Sequence, residues 1–156
     1  MGKILTAIIL AVLSLTQVWP GFAQDSDTHI HRAKLAEIYT TVSVIENAQE
    51  AFFLEKGCYA SKHDDSRRPF YNLCRTDNES CRQLFDRILG VSIPDGPFAY
   101  EVVGVPARIV VYVKENIVVG ALCYKIIEGA QKGEWFINKK HPWKDSVAIE
   151  GAQFYE

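Results

Sequence analysis

The sequence predicts an α+β fold in which one long N-terminal helix packs on a four-stranded antiparallel sheet. Three observations carry this reading. Leu35, Ile38, Val42, Ile45, Gln49 and Phe52 recur at alternating spacings of three and four, and all but Gln49 are apolar, which marks one face of a helix. After residue 97 the apolar period changes to two, across residues 98–103, 107–114, 117–127 and 134–137. The segments between these stretches are short, so neighbouring strands run antiparallel.

The helix is expected from Arg32 to Lys56, with Asp27 or Thr28 as its cap and Gly57 ending it. Thr40-Thr41-Val42-Ser43-Val44 is a poor helix run by propensity, so packing must hold it. The flanking Ala, Glu, Gln and Leu residues still favour helix over strand. Residues 61–78 are polar and interrupted by Pro69, which reads as a loop. Residues 79–89 form a second, short helix with Leu84, Phe85, Ile88 and Leu89 inward, and Gly90 ends it. Ile93-Pro94-Asp95-Gly96-Pro97 is a turn, since Pro fixes φ and Gly accepts positive φ. Glu115-Asn116 and residues 129–133 are the expected hairpin tips, and Gly120 marks a bulge. In residues 141–156, Val147 to Ile149 and Phe154-Tyr155 offer an additional edge strand.

The first residues have a different character. Lys3 precedes an apolar run from Ile4 to Leu15, and Gly21 and Ala23 follow as small residues. This is the layout of a secretory signal peptide, expected to span residues 1–23. The run is short for a membrane span, which needs about 20 residues, and Pro20-Gly21 breaks it. No stable membrane span is therefore expected after cleavage; an uncleaved N-terminal anchor is the alternative reading. Residues 24–31 are polar and read as a flexible arm, leaving 32–156 as the folded domain. Removing residues 1–23 takes away one lysine and no acid, so the net charge moves from −2 to −3. That weak negative balance, with basic residues no denser than Arg67-Arg68 and Lys139-Lys140, argues against nucleic acid as a partner.

All four cysteines, Cys58, Cys74, Cys81 and Cys123, lie beyond the expected signal peptide. Export favours disulfides, and four cysteines allow three pairings. Cys74–Cys81 would close a short polar loop. Cys58–Cys123 would tie the helix end to a strand and stabilise by about 4 kcal/mol in the chain-entropy model. The spacings contain no C-x-x-C pair, and the nearest histidine is His63, which disfavours zinc.

The remaining polar groups do not assemble a recognisable chemistry. His29-Ile30-His31 would present both imidazoles on one side of an extended chain, but only Asp25 and Asp27 accompany them. His63-Asp64-Asp65 supplies too few oxygens for calcium and reads as a polar turn. Glu46 and Glu50 are one helical turn apart, off the apolar stripe, and read as an exposed face. Ser61 and Ser80 lack a nucleophile elbow, and no glycine-rich phosphate loop follows a strand. No catalytic, cofactor-binding or metal-binding residue is assigned. Trp135, Trp143 and Phe154 are the candidate contact patch, set against the reading that Trp135 and Phe136 alternate in and out of the sheet while Trp143 covers a core edge.

The run Ala48-Gln49-Glu50-Ala51-Phe52-Phe53-Leu54-Glu55-Lys56-Gly57-Cys58-Tyr59 resembles the end of the head-domain helix in type IV pilins and type II secretion pseudopilins. Those families carry an AQEAYY-like run followed by E-N-G-x-Y, and Ile93-Pro94-Asp95-Gly96 before an aromatic strand is also similar to them. The pilin filament-core helix is missing: Gly21-Phe22 is followed by polar Gln24-Asp25-Ser26-Asp27, and Ile4 to Leu15 contains no glutamate. Near the C-terminus, Asp145 and Glu150 do not form the calcium loop of pseudopilins. The resemblance implies an exported, non-enzymatic protein, periplasmic or secreted, acting through protein partners, other pilin-like subunits among them. It would be an accessory of a pilus or secretion assembly. The alternatives are a periplasmic module binding a small ligand or peptide at Tyr59 and Phe70-Tyr71, and a small hydrolase using His63.

Overall fold

The computed structural model describes residues 21–61 and 73–156. The chain divides into two compact units, Met1–Ala33 and Lys34–Glu156. The described part of the first is helical backbone from Gly21. The second contains the sheet and the core.

Helix α1 spans Gly21–Lys56, so helical backbone begins before the expected start at Arg32 and includes residues 24–31. A cap at Asp27 or Thr28 is thereby overturned. Once a helix is nucleated, each further residue adds one hydrogen bond, and no Pro or Gly interrupts the chain between Phe22 and Lys56. Within the second unit the predicted stripe is the buried one. Ile38, Val42, Ile45 and Gln49 are fully buried, Phe52 nearly so, and Leu35 packs partly against the core. Gly57, at φ +72°, ends the helix, its N–H donating to the Phe53 carbonyl at 2.7 Å. The left-handed conformation is one that glycine adopts without strain.

Gln49 is the polar exception in that stripe. Its Nε2 donates to the Ala60 carbonyl at 2.5 Å, and its Oε1 accepts from the Ala60 N–H at 2.9 Å. One side-chain amide thus satisfies both main-chain groups of a fully buried residue and holds the chain leaving α1 against the helix.

Helix α2, Glu79–Leu89, is capped by Asn78, whose side chain accepts from the Cys81 N–H at 3.0 Å. Gly90 closes it at φ +67° with bonds back to Asp86 and Phe85. Phe85 is fully buried, while Leu84, Ile88 and Leu89 pack partly against the core. The turn after it brings Gly96 close to α1: a Cβ there would lie 2.6 Å from Glu37 Oε1. Asp95 beside it accepts from Arg82 at 3.1 Å and Lys114 at 2.6 Å.

The sheet has five strands in the order β1 (Phe98–Val103), β2 (Arg108–Val113), β3 (Cys123–Ile126), β4 (Trp135–Asn138), β5 (Gln153–Tyr155). The first four are antiparallel, as expected, but β5 pairs with β4 in parallel, so the sheet is mixed and not a four-stranded antiparallel one. A parallel pair needs a crossover. Residues 139–152 provide it, placing His141, Val147 and Ile149 in the interior on the way. The expected strand over 117–127 is shortened to Cys123–Ile126. Residues Lys114–Val119 coil into 3-10 turns, and Gly120 at φ +105° redirects the chain before pairing resumes with Leu122 N–H on the Val111 carbonyl at 2.8 Å. Ile117-Val118-Val119 has strand propensity but no sheet face to bury, and Val118 is 94% exposed.

The free side of β1 is closed by the segment before α2. Thr76 N–H donates to the Tyr100 carbonyl at 2.9 Å, and the Tyr100 N–H donates to Thr76 Oγ1 at 2.8 Å. The Cys74–Cys81 disulfide, with Cα atoms 5.4 Å apart, ties this segment to α2 as expected. The expected Cys58–Cys123 bridge is not formed, and both thiols are free. Cys123 lies within electrostatic reach of Tyr39, whereas Cys58 lies beyond the end of α1. From Tyr39 to Lys56 the helix rises roughly 25 Å, far more than the about 7 Å that a bridge spans between Cα atoms.

Replacing Gln49 by leucine should leave the Ala60 N–H and carbonyl buried without partners and lower unfolding free energy by about 2–4 kcal/mol. Urea titration checks this; a midpoint equal to that of the unsubstituted protein would mean that the clamp contributes nothing.

Candidate functional site

Strand alternation gives the sheet two unlike faces. Phe98, Tyr100, Val102, Ile109, Val111, Cys123 and Ile137 belong to the buried cluster with α1. Their neighbours along each strand point the other way. The register places Val110 across from Tyr124, Tyr124 across from Phe136, and Asn138 beside Tyr155. An aromatic row results. The Tyr124 and Phe136 rings stack at 4.8 Å with 13° between planes, and Tyr155 tilts against Tyr124 at 5.1 Å. Tyr112, Tyr124, Phe136 and Tyr155 are all half-buried, so their rings have solvent-facing surface.

Arginines flank the row. The Arg108 guanidinium lies 5.3 Å from the Tyr124 ring centroid, and that of Arg75 lies 5.0 Å from Tyr112. Arg75 also donates to Asp77 at 2.9 Å. The Tyr112 hydroxyl donates to Glu101 at 2.9 Å, and the Tyr155 hydroxyl reaches the Ala121 carbonyl at 3.4 Å. Burial, reinforced by Glu101, pushes the Tyr112 hydroxyl up to about 12, and burial does the same for Tyr155. Both therefore remain protonated at neutral pH. Arg108, Tyr112, Tyr124 and Tyr155 line a cleft of about 280 Å³ together with Val103, Val110 and Ala121.

The expected contact patch is not a single surface. Trp135 is only 9% exposed and meets Tyr39 edge to face at 5.5 Å on the core side. Phe136 points outward, which is the alternation foreseen. Trp143 is half-buried, perpendicular to Phe98 at 6.2 Å, with the Lys34 ammonium 4.0 Å above its ring. Phe154, 65% exposed on β5, is the one member of the three that presents a large open surface, and it alternates with Tyr155. The outer aromatic row was missed although the alternation needed to find it was present: Ile109, Val111 and Val113 inward require Arg108, Val110 and Tyr112 outward.

Glu46 and Glu50 do not form the expected exposed face. They are half-buried and fasten α1 to the sheet side, with Lys125 donating to Glu46 at 2.5 Å and Lys132 to Glu50 at 2.7 Å. The bond from Lys132, outweighing desolvation, holds the Glu50 carboxyl below its ordinary value. Tyr59 stacks on Phe53 at 4.8 Å and donates to Glu50 at 3.1 Å. His63-Asp64-Asp65, Arg67-Arg68 and Phe70-Tyr71 lie outside the described residues. The backbone at residues 29–31 is helical, not the extended form a paired-histidine site would use. Among the described residues no group of three His, Cys, Asp or Glu could hold a metal ion, and no helix is long and apolar enough to cross a membrane.

Two interior groups bear on pH and reactivity. His141 is 1% exposed; its Nδ1 accepts from the Trp143 N–H at 3.1 Å, while Nε2 has no partner among the described residues. Burial depresses its pKa below 6.5. As pH falls through that value the unfolded chain takes up the proton first, so this histidine should erode stability below it. Between about pH 6.5 and pH 5 the melting temperature should fall less for His141→Gln than for the unsubstituted protein. Equal slopes in thermal melts would show that His141 titrates normally. Burial also pushes the Cys123 thiol up to about 12. A thiol reagent should therefore modify Cys58 in the native protein and Cys123 only after unfolding. Mass spectrometry of the labelled protein reads this, and native labelling of Cys123 would contradict its burial.

Comparison of the chain with known protein families, curated proteins and solved structures finds no match.

Proposed function

We propose that this chain is an exported, non-enzymatic, pilin-like module that works through protein contacts made by the outer face of its sheet. Its place is the periplasm or the exterior, as an accessory of a pilus or type II secretion assembly. The single observation that carries the contact reading is the partly exposed row of Tyr112, Tyr124, Phe136 and Tyr155 flanked by Arg108. Tyrosine and arginine are the residues that dominate binding energy at protein interfaces, because each gives large contact area with a polar handle. The pilin-like reading rests on the Ala48–Tyr59 run and on the order of a long helix followed by a sheet. A second reading, a periplasmic peptide- or ligand-binding module, is favoured by the cleft of about 280 Å³ beside the same row.

The test is affinity capture from a cell envelope with the full chain and with variants. The double variant Tyr124→Ala, Phe136→Ala should weaken capture of specific partners at least about thirtyfold, as removal of hot-spot rings does. Trp143→Ala, which alters a ring already engaged with Phe98 and Lys34, should leave it unchanged. Undiminished capture by the double variant, with the fold verified by circular dichroism, would remove the outer face from the contact.

A further inference from the structure

We propose that the cleft beside Arg108 receives a carboxylate side chain, Asp or Glu, from an acidic, aromatic-bearing segment of the partner protein. This rests on the contact reading above and names the chemistry of that contact. The cleft is lined by donors whose acceptors are unevenly supplied. The Tyr112 hydroxyl is committed to Glu101 and the Tyr155 hydroxyl to the Ala121 carbonyl. The Arg108 guanidinium and the Tyr124 hydroxyl have no acceptor among the described residues, and Arg108 is the only charged group among the described lining residues.

Other cations near the sheet are compensated: Arg75 by Asp77, Lys125 by Glu46 and Lys132 by Glu50. Arg108 is exposed, yet its position over the Tyr124 ring restricts it. A restrained, planar guanidinium loses little freedom on binding and matches a carboxylate bidentately. Glu101, on the same face, is only 5% exposed and accepts from Tyr112.

The cleft, about 280 Å³ in volume, has room for a carboxylate side chain beside Arg108. Phe136, stacked on Tyr124 and partly exposed, lies next to the cleft and offers apolar ring surface to an aromatic residue beside the acid. A segment pairing an acid with a ring would therefore engage both parts together.

The probe is a pair of capped synthetic peptides, Gly-Phe-Glu-Phe-Gly and Gly-Phe-Gln-Phe-Gly, titrated into isotopically labelled full chain and followed by amide NMR. The glutamate peptide should give saturable shifts centred on residues 108–112, 124, 136 and 155. Affinity should fall about tenfold or more for the glutamine peptide, or for Arg108→Gln, and should weaken as salt rises. Arg87→Gln, on the exposed side of α2, serves as the charge control and should bind like the unsubstituted protein. Equal affinity for the two peptides, shifts centred elsewhere, or no saturable binding of the glutamate peptide would overturn the proposal. If the peptides fail while Tyr124→Ala, Phe136→Ala still loses its partners, only the carboxylate assignment falls. If the glutamate peptide binds through Arg108 while that double variant keeps its partners, the protein-contact reading falls instead.

Discussion

A single helix can cover only one face of a sheet. That constraint organises the second unit of this protein. The stripe of Ile38, Val42, Ile45, Gln49 and Phe52 seals the inner face, and everything the strands direct the other way must find its own cover or meet solvent. The outer side chains respond by covering one another. Tyr124 contacts both Phe136 and Tyr155, the Tyr112 hydroxyl bonds to Glu101, and two arginine guanidinium groups rest over rings. The inner face is thus sealed by hydrophobic burial, while the outer face keeps polar handles on apolar bodies. Such a surface tolerates water and also favours association.

Polar bonds fix where the helix lies on that inner face. Hydrophobic burial is non-directional and would permit α1 to slide. The pairs Glu46–Lys125 and Glu50–Lys132, with the Gln49 amide on Ala60, fix both its rotation and its end point. They occupy adjacent positions on one side of the helix, next to the place where the chain turns away at Gly57. Deleting one partner would cost more than the pair itself contributes where the surviving group is buried, and Gln49 is the most deeply buried of the three.

The parts of this architecture that were legible in the sequence are those decided by period and punctuation. The α1 stripe, the Gly57 and Gly90 caps, β1 and the turn at residues 129–133 follow from local pattern. The Cys74–Cys81 bridge was legible because its loop is short. What escaped was decided by position in space. Ile117-Val118-Val119 has the composition of a strand but lies where no partner strand extends. Cys58 lies beyond the end of α1 whereas Cys123 lies near Tyr39, several helical turns earlier, which spacing in sequence does not reveal. Gln49 looked like an interruption of an apolar stripe, since the backbone it serves is folded back by a loop eleven residues away. The outer aromatic row was recoverable from alternation alone, since Ile109, Val111 and Val113 inward leave Tyr112 outward, whereas Trp135 and Trp143 of the expected patch pack on the core side.

The two rims of the sheet are guarded unequally. Along β1, Thr76 occupies both main-chain groups of Tyr100 and is kept there by the cystine that binds its segment to α2. Beyond β5 the described chain supplies no further strand, and exposed Phe154 stands on that side. A reducing compartment would release the tether next to Thr76 and loosen its grip on β1, leaving amide groups on both flanks open to pairing with foreign strands. Oxidative maturation would therefore act here less as a reinforcement of the interior than as a safeguard against unwanted polymer growth from a second end.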